Sequence, residues 1–303
     1  MEFEVSVIIP LYNAEKIVLN AVRSASSIDC VKEVIIVDDG SYDKSLEVCQ
    51  LESKKNSKIH ILFHKNHINK GVSATRNLGI KAAQSEFIAF LDADDYYLDN
   101  RFDAEKELYK KYENFDGAYN ASEWIWTETN KRELYTIKEY IEPSDLFKTL
   151  LWHHKGLFDT NSITIKKELL NQTGYFDEKM RVAEDTDLWY RVAAYGKIYS
   201  GNIKIPTSER IIHGENVIIK SQNEYYKGRL YMYKKILKIL LKSKKISFDN
   251  KNEILLVFNN YNYIFKKVYS EFKFIIKLLI KYPFLLFYPF TYRKIGQLIK
   301  KEI

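Results

Sequence analysis

The tightest constraint on the fold is a rhythm in the N-terminal third of the chain, where short β-branched runs alternate with amphipathic stretches. Val5 to Pro10, Val34 to Val37, Ile59 to His64 and Phe87 to Leu91 read as strands, and stretches near Glu15 to Ser26, Tyr42 to Ser53 and Val72 to Ala83 read as helices. This alternation marks βαβ units and a mostly parallel α/β sheet. Asp43 and Ser73 stand near the expected helix starts. Open sheets of this kind bind ligands at the carboxyl ends of their strands, and the polar clusters of this sequence fall there.

After Leu98 the pattern loosens into a charged helix to about Tyr112, an apolar patch from Tyr119 to Trp126 and an irregular stretch through Asp159. A second unit follows, with a strand at Ser162 to Ile165, a short helix at Lys167 to Gln172, a turn at Thr173 to Phe176 and a helix from Glu184 to Tyr195 closed by Gly196. With 303 residues, 46% of them hydrophobic, the chain can supply the core of one large α/β domain, about residues 1–220, and a C-terminal region, 221–303. Cys30 and Cys49 have no zinc-type or disulfide-framework spacing and read as reduced thiols of a cytosolic protein. The acidic start MEFEVSVIIP is unlike a signal peptide.

The net charge of +7 invites a nucleic-acid reading until it is located. Residues 221–303 hold 18 Lys and Arg against 5 Asp and Glu, whereas residues 1–220 hold 29 against 35. The basicity therefore belongs to the tail, and nothing else points to nucleic acid.

Three acidic clusters can carry chemistry. Asp38-Asp39-Gly40-Ser41 follows a strand, where a carboxylate can accept from a nucleobase N–H; a strand-to-helix turn capped by Asp39 and Ser41 is the alternative. Leu91-Asp92-Ala93-Asp94-Asp95 delivers three mutually repelling acids at a strand end, a hard oxygen set suited to Mg²⁺ or Mn²⁺ with substrate phosphates. The alternative there is a solvated acidic loop. Glu184-Asp185-Thr186-Asp187 opens a helix whose dipole favours ionised acids, as a general base requires, although helix capping alone explains acids at that place.

Five segments together resemble glycosyltransferase family 2 in order and spacing: Val5 to Asn13, Val37 to Ser41, Asn69 to Asn77, Leu91 to Asp95 and Glu184 to Arg191. The resemblance covers about residues 4–215. It implies the GT-A fold, a nucleotide-binding half of about residues 1–115, an acceptor half of about 116–220, and inverting transfer from a nucleotide sugar, UDP-linked by family likeness. Carried over by position, it puts Pro10 and Tyr12 against base or ribose, Asp39 on the base and Arg76 beside the nucleotide. Asp94 becomes the principal metal ligand, with Asp92 nearer the ribose and metal waters, and Asp185 the catalytic base. His213 falls where several relatives place a further metal or diphosphate contact.

Other chemistries lack their signatures. The sequence holds no G-x-G-x-x-G after a strand, no P-loop and no G-x-S-x-G elbow, and His64, His67, His153 and His154 have no zinc-type partners. Metal-dependent nucleotidyltransfer, or a non-catalytic nucleotide-sugar binding module recruited to a membrane, remain as alternative readings of the same acids.

In the tail, residues 227–245 and 263–282 interleave lysine with Tyr, Phe, Ile and Leu at helical spacing, which predicts two basic amphipathic helices. The apolar run Tyr282 to Tyr292 is about half of the roughly 20 residues needed to span a bilayer. A peripheral location on the cytoplasmic side of the inner membrane is expected, and the family resemblance then implies a lipid-linked glycan on a polyprenyl diphosphate, or a surface polysaccharide intermediate, as the acceptor. Packing on the catalytic domain or an oligomer contact are the competing roles for these helices.

Overall fold

The computed structural model describes residues 2–152, 155–212, 228 and 231–239. The chain divides into two compact units, Met1–Gln222 and Asn223–Ile303. In the second unit residues 231–239 are helical, with Met232, Tyr233, Ile236 and Leu237 buried on one face.

The first unit is an α/β fold built on a seven-stranded sheet. β1 (Val5–Leu11), β2 (Val31–Asp38), β3 (Ile59–Phe63) and β4 (Phe87–Phe90) are parallel neighbours in the order β3-β2-β1-β4. Beyond β4 come β9 (Ile163–Lys166), antiparallel, then β6 (Gly117–Tyr119) and β10 (Ile198–Ser200). β1 and β4 are buried on nearly every residue, because helices cover both faces of a parallel sheet.

Helix α1 (Val18–Ser26) buries Val18, Ala21, Val22 and Ala25, an i, i+3, i+4, i+7 stripe laid against the sheet. Helix α2 (Ser45–Ser53) follows β2, and α3 (Val72–Ala82) follows β3. α3 is buried although Ser73, Thr75, Arg76 and Asn77 are polar. It can lie close to β1 because a side chain at Gly79 would meet Ile8 Cγ2 at 2.5 Å. Asn77 explains its own burial: its Nδ2 donates to the Phe176 carbonyl and to Glu178, while its Oδ1 accepts from the Phe176 amide.

A second sheet rises beside the first. β5 (Tyr96–Tyr97), β11 (Pro206–Ile212), β7 (Ala121–Trp126) and β8 (Lys131–Tyr135) form it in that order. Helices α4 (Asp103–Lys111), α5 (Pro143–Trp152), α6 (Lys167–Thr173) and α7 (Glu184–Tyr195) complete the unit.

Several sequence expectations need correction. The stretch through Asp159 read as irregular contains β8 and α5, and β10 and β11 carried no signal. The first helix begins at Val18, not near Glu15. Asp43 and Ser73 do stand beside the starts of α2 and α3, although Lys44 and Gly71 occupy the N-cap positions; Asp43 accepts from the Ser45 and Glu15 amides, and the buried Ser73 hydroxyl has no partner among the described residues. Gly196 closes α7 as expected, in an extended conformation, and a Cβ there would press on Leu169 Cδ2 at 2.3 Å.

Candidate active site

The carboxyl ends of β1, β2 and β4 gather the sequence-predicted residues into one region. Pro10 is half-buried in the otherwise buried β1, and Tyr12 lies just past the strand's end, half of its surface exposed and its ring edge-on to the more exposed Tyr42 at 6.2 Å. The loops after β1 and β2 are laced together. The Asn13 amide donates to Ser41 Oγ, the Tyr42 amide to Asn13 Oδ1 and the Ala14 amide to Ser45 Oγ.

The two acids after β2 divide the work. Asp38 accepts from the Gly40 and Ser41 amides and so forms the turn. Asp39 is buried and reaches across to the loop before α3, accepting from the Lys70 amide at 2.7 Å and the Gly71 amide at 2.9 Å. Neither acid caps α2. Each Asp39 oxygen retains acceptor capacity beside its amide partner. Gly40, at φ 79°, permits this approach, since a Cβ there would lie 2.6 Å from the His67 carbonyl oxygen.

The three acids after β4 also differ. Asp92 receives the Arg76 guanidinium at 2.6 Å, and its amide donates to Asn161 Oδ1. Burial would raise its carboxyl, but Arg76 and then Arg210 hold it below the usual range. Asp94 is half-buried. Asp95 is buried and structural, accepting from Asn161 Nδ2 at 2.6 Å and from the Ile211 amide at 2.7 Å, which ties the acidic tip to β11. Burial, then the charges of Asp94 and Asp92, push its carboxyl well above the ordinary value.

Arg76 joins this tip to the helix that starts at Glu184. Its guanidinium is buried, donates to Asp92 and lies 3.3 Å from Glu184 Oε1. Its charged form is favoured because Asp92 and Glu184 outweigh the burial that opposes it. Burial and the neighbouring Asp185 raise Glu184 to about 7 in spite of Arg76. Asp185 stands at the first turn of α7, half-buried, and Oδ1 accepts from the Thr186 amide and hydroxyl. Ala183, immediately before the helix, is held at φ 59°. A left-handed alanine costs of order 1 kcal/mol, and here it sets the direction in which the two acids leave the chain.

The next charged residues of the segment are scaffolding. Buried Asp187 pairs with Arg191 at 2.6 Å, and Arg191 also donates to the carbonyls of Thr173, Gly174 and Tyr175. Sequence reasoning missed Asn161 and Asp159, which hold the acidic tip and the second sheet, and Arg210 on β11. No motif marks them, because they meet the acids only through long-range pairing. His213 lies outside the described residues. Among the described residues no group of three or more His, Cys, Asp or Glu converges as a metal site made by protein alone.

A mostly parallel sheet with acids at its strand ends, opposed by an acidic helix start, is the GT-A type of glycosyltransferase fold. Residues 6–174 match the family described as glycosyl transferase family 2, more than half of the chain, and the chain belongs to that family. An uncharacterized glycosyltransferase of Rickettsia felis is 29% identical over 91% of the chain. The chondroitin synthase of Pasteurella multocida is 28% identical over 87%, and a Pasteurella multocida hyaluronan synthase 30% identical over 71%. The chain spans 47%, 26% and 21% of the length of these three relatives. The structure of S. aureus TarS 1-349 in complex with UDP-GlcNAc has the same fold, at a TM-score of 0.68 and 20% identity over 88% of this chain and 74% of that one.

Proposed function

We propose that this glycosyltransferase moves a sugar, with inversion, from a UDP-sugar to a hydroxyl of a glycan acceptor, a lipid-linked oligosaccharide or surface polysaccharide intermediate. The observation that carries the reading is the Arg76 bridge, which brings the strand-end Asp92 and the helix-start pair Glu184-Asp185 to one place. Donor and acceptor chemistry need such a pairing of sites. UDP and UDP-GlcNAc complexes are known for TarS, which has this fold, and that supports a uridine donor here.

In this reading Asp39, fixed by two backbone amides, offers its remaining lone pairs to the base, with Pro10 and Tyr12 alongside. Mg²⁺ or Mn²⁺ fits the acidic tip. Half-buried Asp94 stands between Asp92 and Asp95, whose carboxyl is raised by burial and then by the charges of Asp94 and Asp92, and such ions bind through one or two carboxylates while phosphates and water complete the shell. Asp94 is the principal ligand and Asp92 lies nearer the ribose, with His213 a candidate further contact. When bound, the ion offsets the negative charge of the diphosphate.

Asp185 takes the proton of the attacking hydroxyl. Both of its hydrogen bonds fall on Oδ1, which leaves Oδ2 to receive it. Base catalysis of this kind contributes roughly 10² to 10⁴ in rate. The test is Asp185→Asn, assayed for UDP release from a panel of UDP-sugars with Mn²⁺ and a crude lipid-linked glycan fraction. Donor binding is expected to persist while turnover falls at least about 100-fold; near-normal turnover removes Asp185 from the mechanism. The basic C-terminal region is proposed to hold the enzyme peripherally on the cytoplasmic face of the inner membrane, near such an acceptor.

A further inference from the structure

Arg210 differs from the other buried or half-buried arginines of this fold. Arg76, Arg101 and Arg191 each contact a carboxylate, at 2.6 Å in every case. The Arg210 guanidinium, among the described residues, reaches no carboxylate at ion-pair distance and makes no hydrogen bond; its contact is the Trp124 ring, 5.3 Å from centroid to guanidinium carbon.

The second sheet builds that contact deliberately. Arg210 on β11 is in register with Trp124 on the parallel neighbour β7, and β8 flanks β7 on its other side. From β8, Tyr135 stacks on the Trp124 indole at 4.0 Å with only 15° between the planes. The indole N–H is fixed by Asp159 Oδ2 at 2.9 Å, and Asp159 is itself held by the Ser122 hydroxyl and the Asn161 amide. The tyrosine and the guanidinium thus both lie against one indole, whose N–H is tied to Asp159.

The stack stands against the active site. The residue after Arg210 donates its amide to Asp95, so β11 is pinned to the acidic tip at this point. Burial works against the Arg210 charge, but Asp159, Asp92, Asp95 and Asp185 together favour it. A flexible arginine in that field would ordinarily fold onto one of the four carboxylates. Stacking on an aromatic face supplies an alternative that leaves its N–H donors unused.

We infer that Trp124 and Tyr135 are positioning residues that hold Arg210 as a preformed receptor for the diphosphate of the nucleotide sugar. The inference rests on the UDP-sugar reading above. A guanidinium fork matches two phosphate oxygens, and its charge opposes the negative charge that grows on the departing diphosphate. The aromatic stack keeps that fork clear of the acids when the nucleotide is absent.

The experiment compares UDP and uridine binding to the full 303-residue chain with Mn²⁺ present, by titration calorimetry for UDP and saturation-transfer NMR for uridine. Arg210→Gln is expected to weaken UDP by roughly 10- to 100-fold, the loss of one charged hydrogen-bonding pair, and to leave uridine unchanged. Trp124→Leu is expected to show the same selective loss and Trp124→Phe to restore UDP binding. In the double variant of Trp124→Leu and Arg210→Gln the losses are expected not to add, because both remove one interaction. UDP affinity unchanged in Arg210→Gln, parallel loss of uridine, or additive effects in the double variant would each overturn the inference. A wild-type chain that binds uridine and UDP equally also overturns it, whereas one that binds neither removes the UDP-sugar reading itself.

Discussion

Replacing Arg76 by methionine keeps the length of the side chain and removes the charge between Asp92 and Glu184. All three side chains are largely withdrawn from water, with 5% of Arg76, 20% of Asp92 and 14% of Glu184 exposed. Removing one partner of a buried pair leaves an uncompensated charge and typically costs about 3–5 kcal/mol. Arg210 still favours ionised Asp92, and Glu184, already raised to about 7, escapes part of the loss by taking a proton, so the lower end, about 3 kcal/mol, applies. For a unit the size of Met1–Gln222 that is a fall of roughly 6–12 °C in Tm. The difference carries a pH signature. Asp92 is depressed in the folded protein, so its stabilisation is present above its unfolded pKa and fades as pH falls through the folded one. Urea unfolding of the wild type and Arg76→Met at pH 8 and pH 3 is therefore expected to show the full gap at pH 8 and a smaller one at pH 3, below the ordinary Asp value of 3.8. A gap below about 1 kcal/mol, or one independent of pH, would refute the argument that this arginine neutralises two site acids.

Glu184 gives the opposite pH dependence: its folded pKa, about 7, lies above the ordinary glutamate value of 4.5, so its contribution is whole below about 4.5 and is lost as pH rises through 7. Glu184→Gln is expected to match wild-type stability near pH 4 and to exceed it at pH 8 by up to roughly 3 kcal/mol, read from paired denaturation curves. The tail can be tested by co-sedimentation with anionic liposomes, in which the full chain is expected to pellet at low salt and to be released at high salt; a protein that stays in the supernatant at low salt ends the membrane assignment.

How much of this was legible in the sequence follows from how local each signal is. The strands β1, β2 and β4 could be read because each is a buried run of neighbouring apolar residues, and β2 and β4 lead straight into acids. The second sheet could not. β8, KRELY, has four exposed residues and no apolar alternation, and β11 is a strand only because β7 and β5 pair with it across the sequence. The acidic motifs were visible as clusters, but their division of labour was not: Asp95 and Asp187 look like site acids and instead accept from Asn161 and Arg191. The resemblance puts Arg76 beside the nucleotide, and only the contact with Glu184, 108 positions away, makes it the link between two motifs. Arg210 and Asp159 had no motif at all. Their roles arise from a parallel strand pairing and an indole N–H that no spacing rule encodes.

The proposed transfer requires that the acidic tip after β4 take a divalent ion together with a nucleoside diphosphate. Calorimetric titration of UDP into the full chain, with Mn²⁺ and again with EDTA, measures this directly, alongside Asp94→Asn. The expected result is UDP binding that is strong with Mn²⁺, much weaker in EDTA and insensitive to Mn²⁺ in Asp94→Asn. UDP affinity that is the same with and without the metal, or a manganese response that survives in Asp94→Asn, would contradict it.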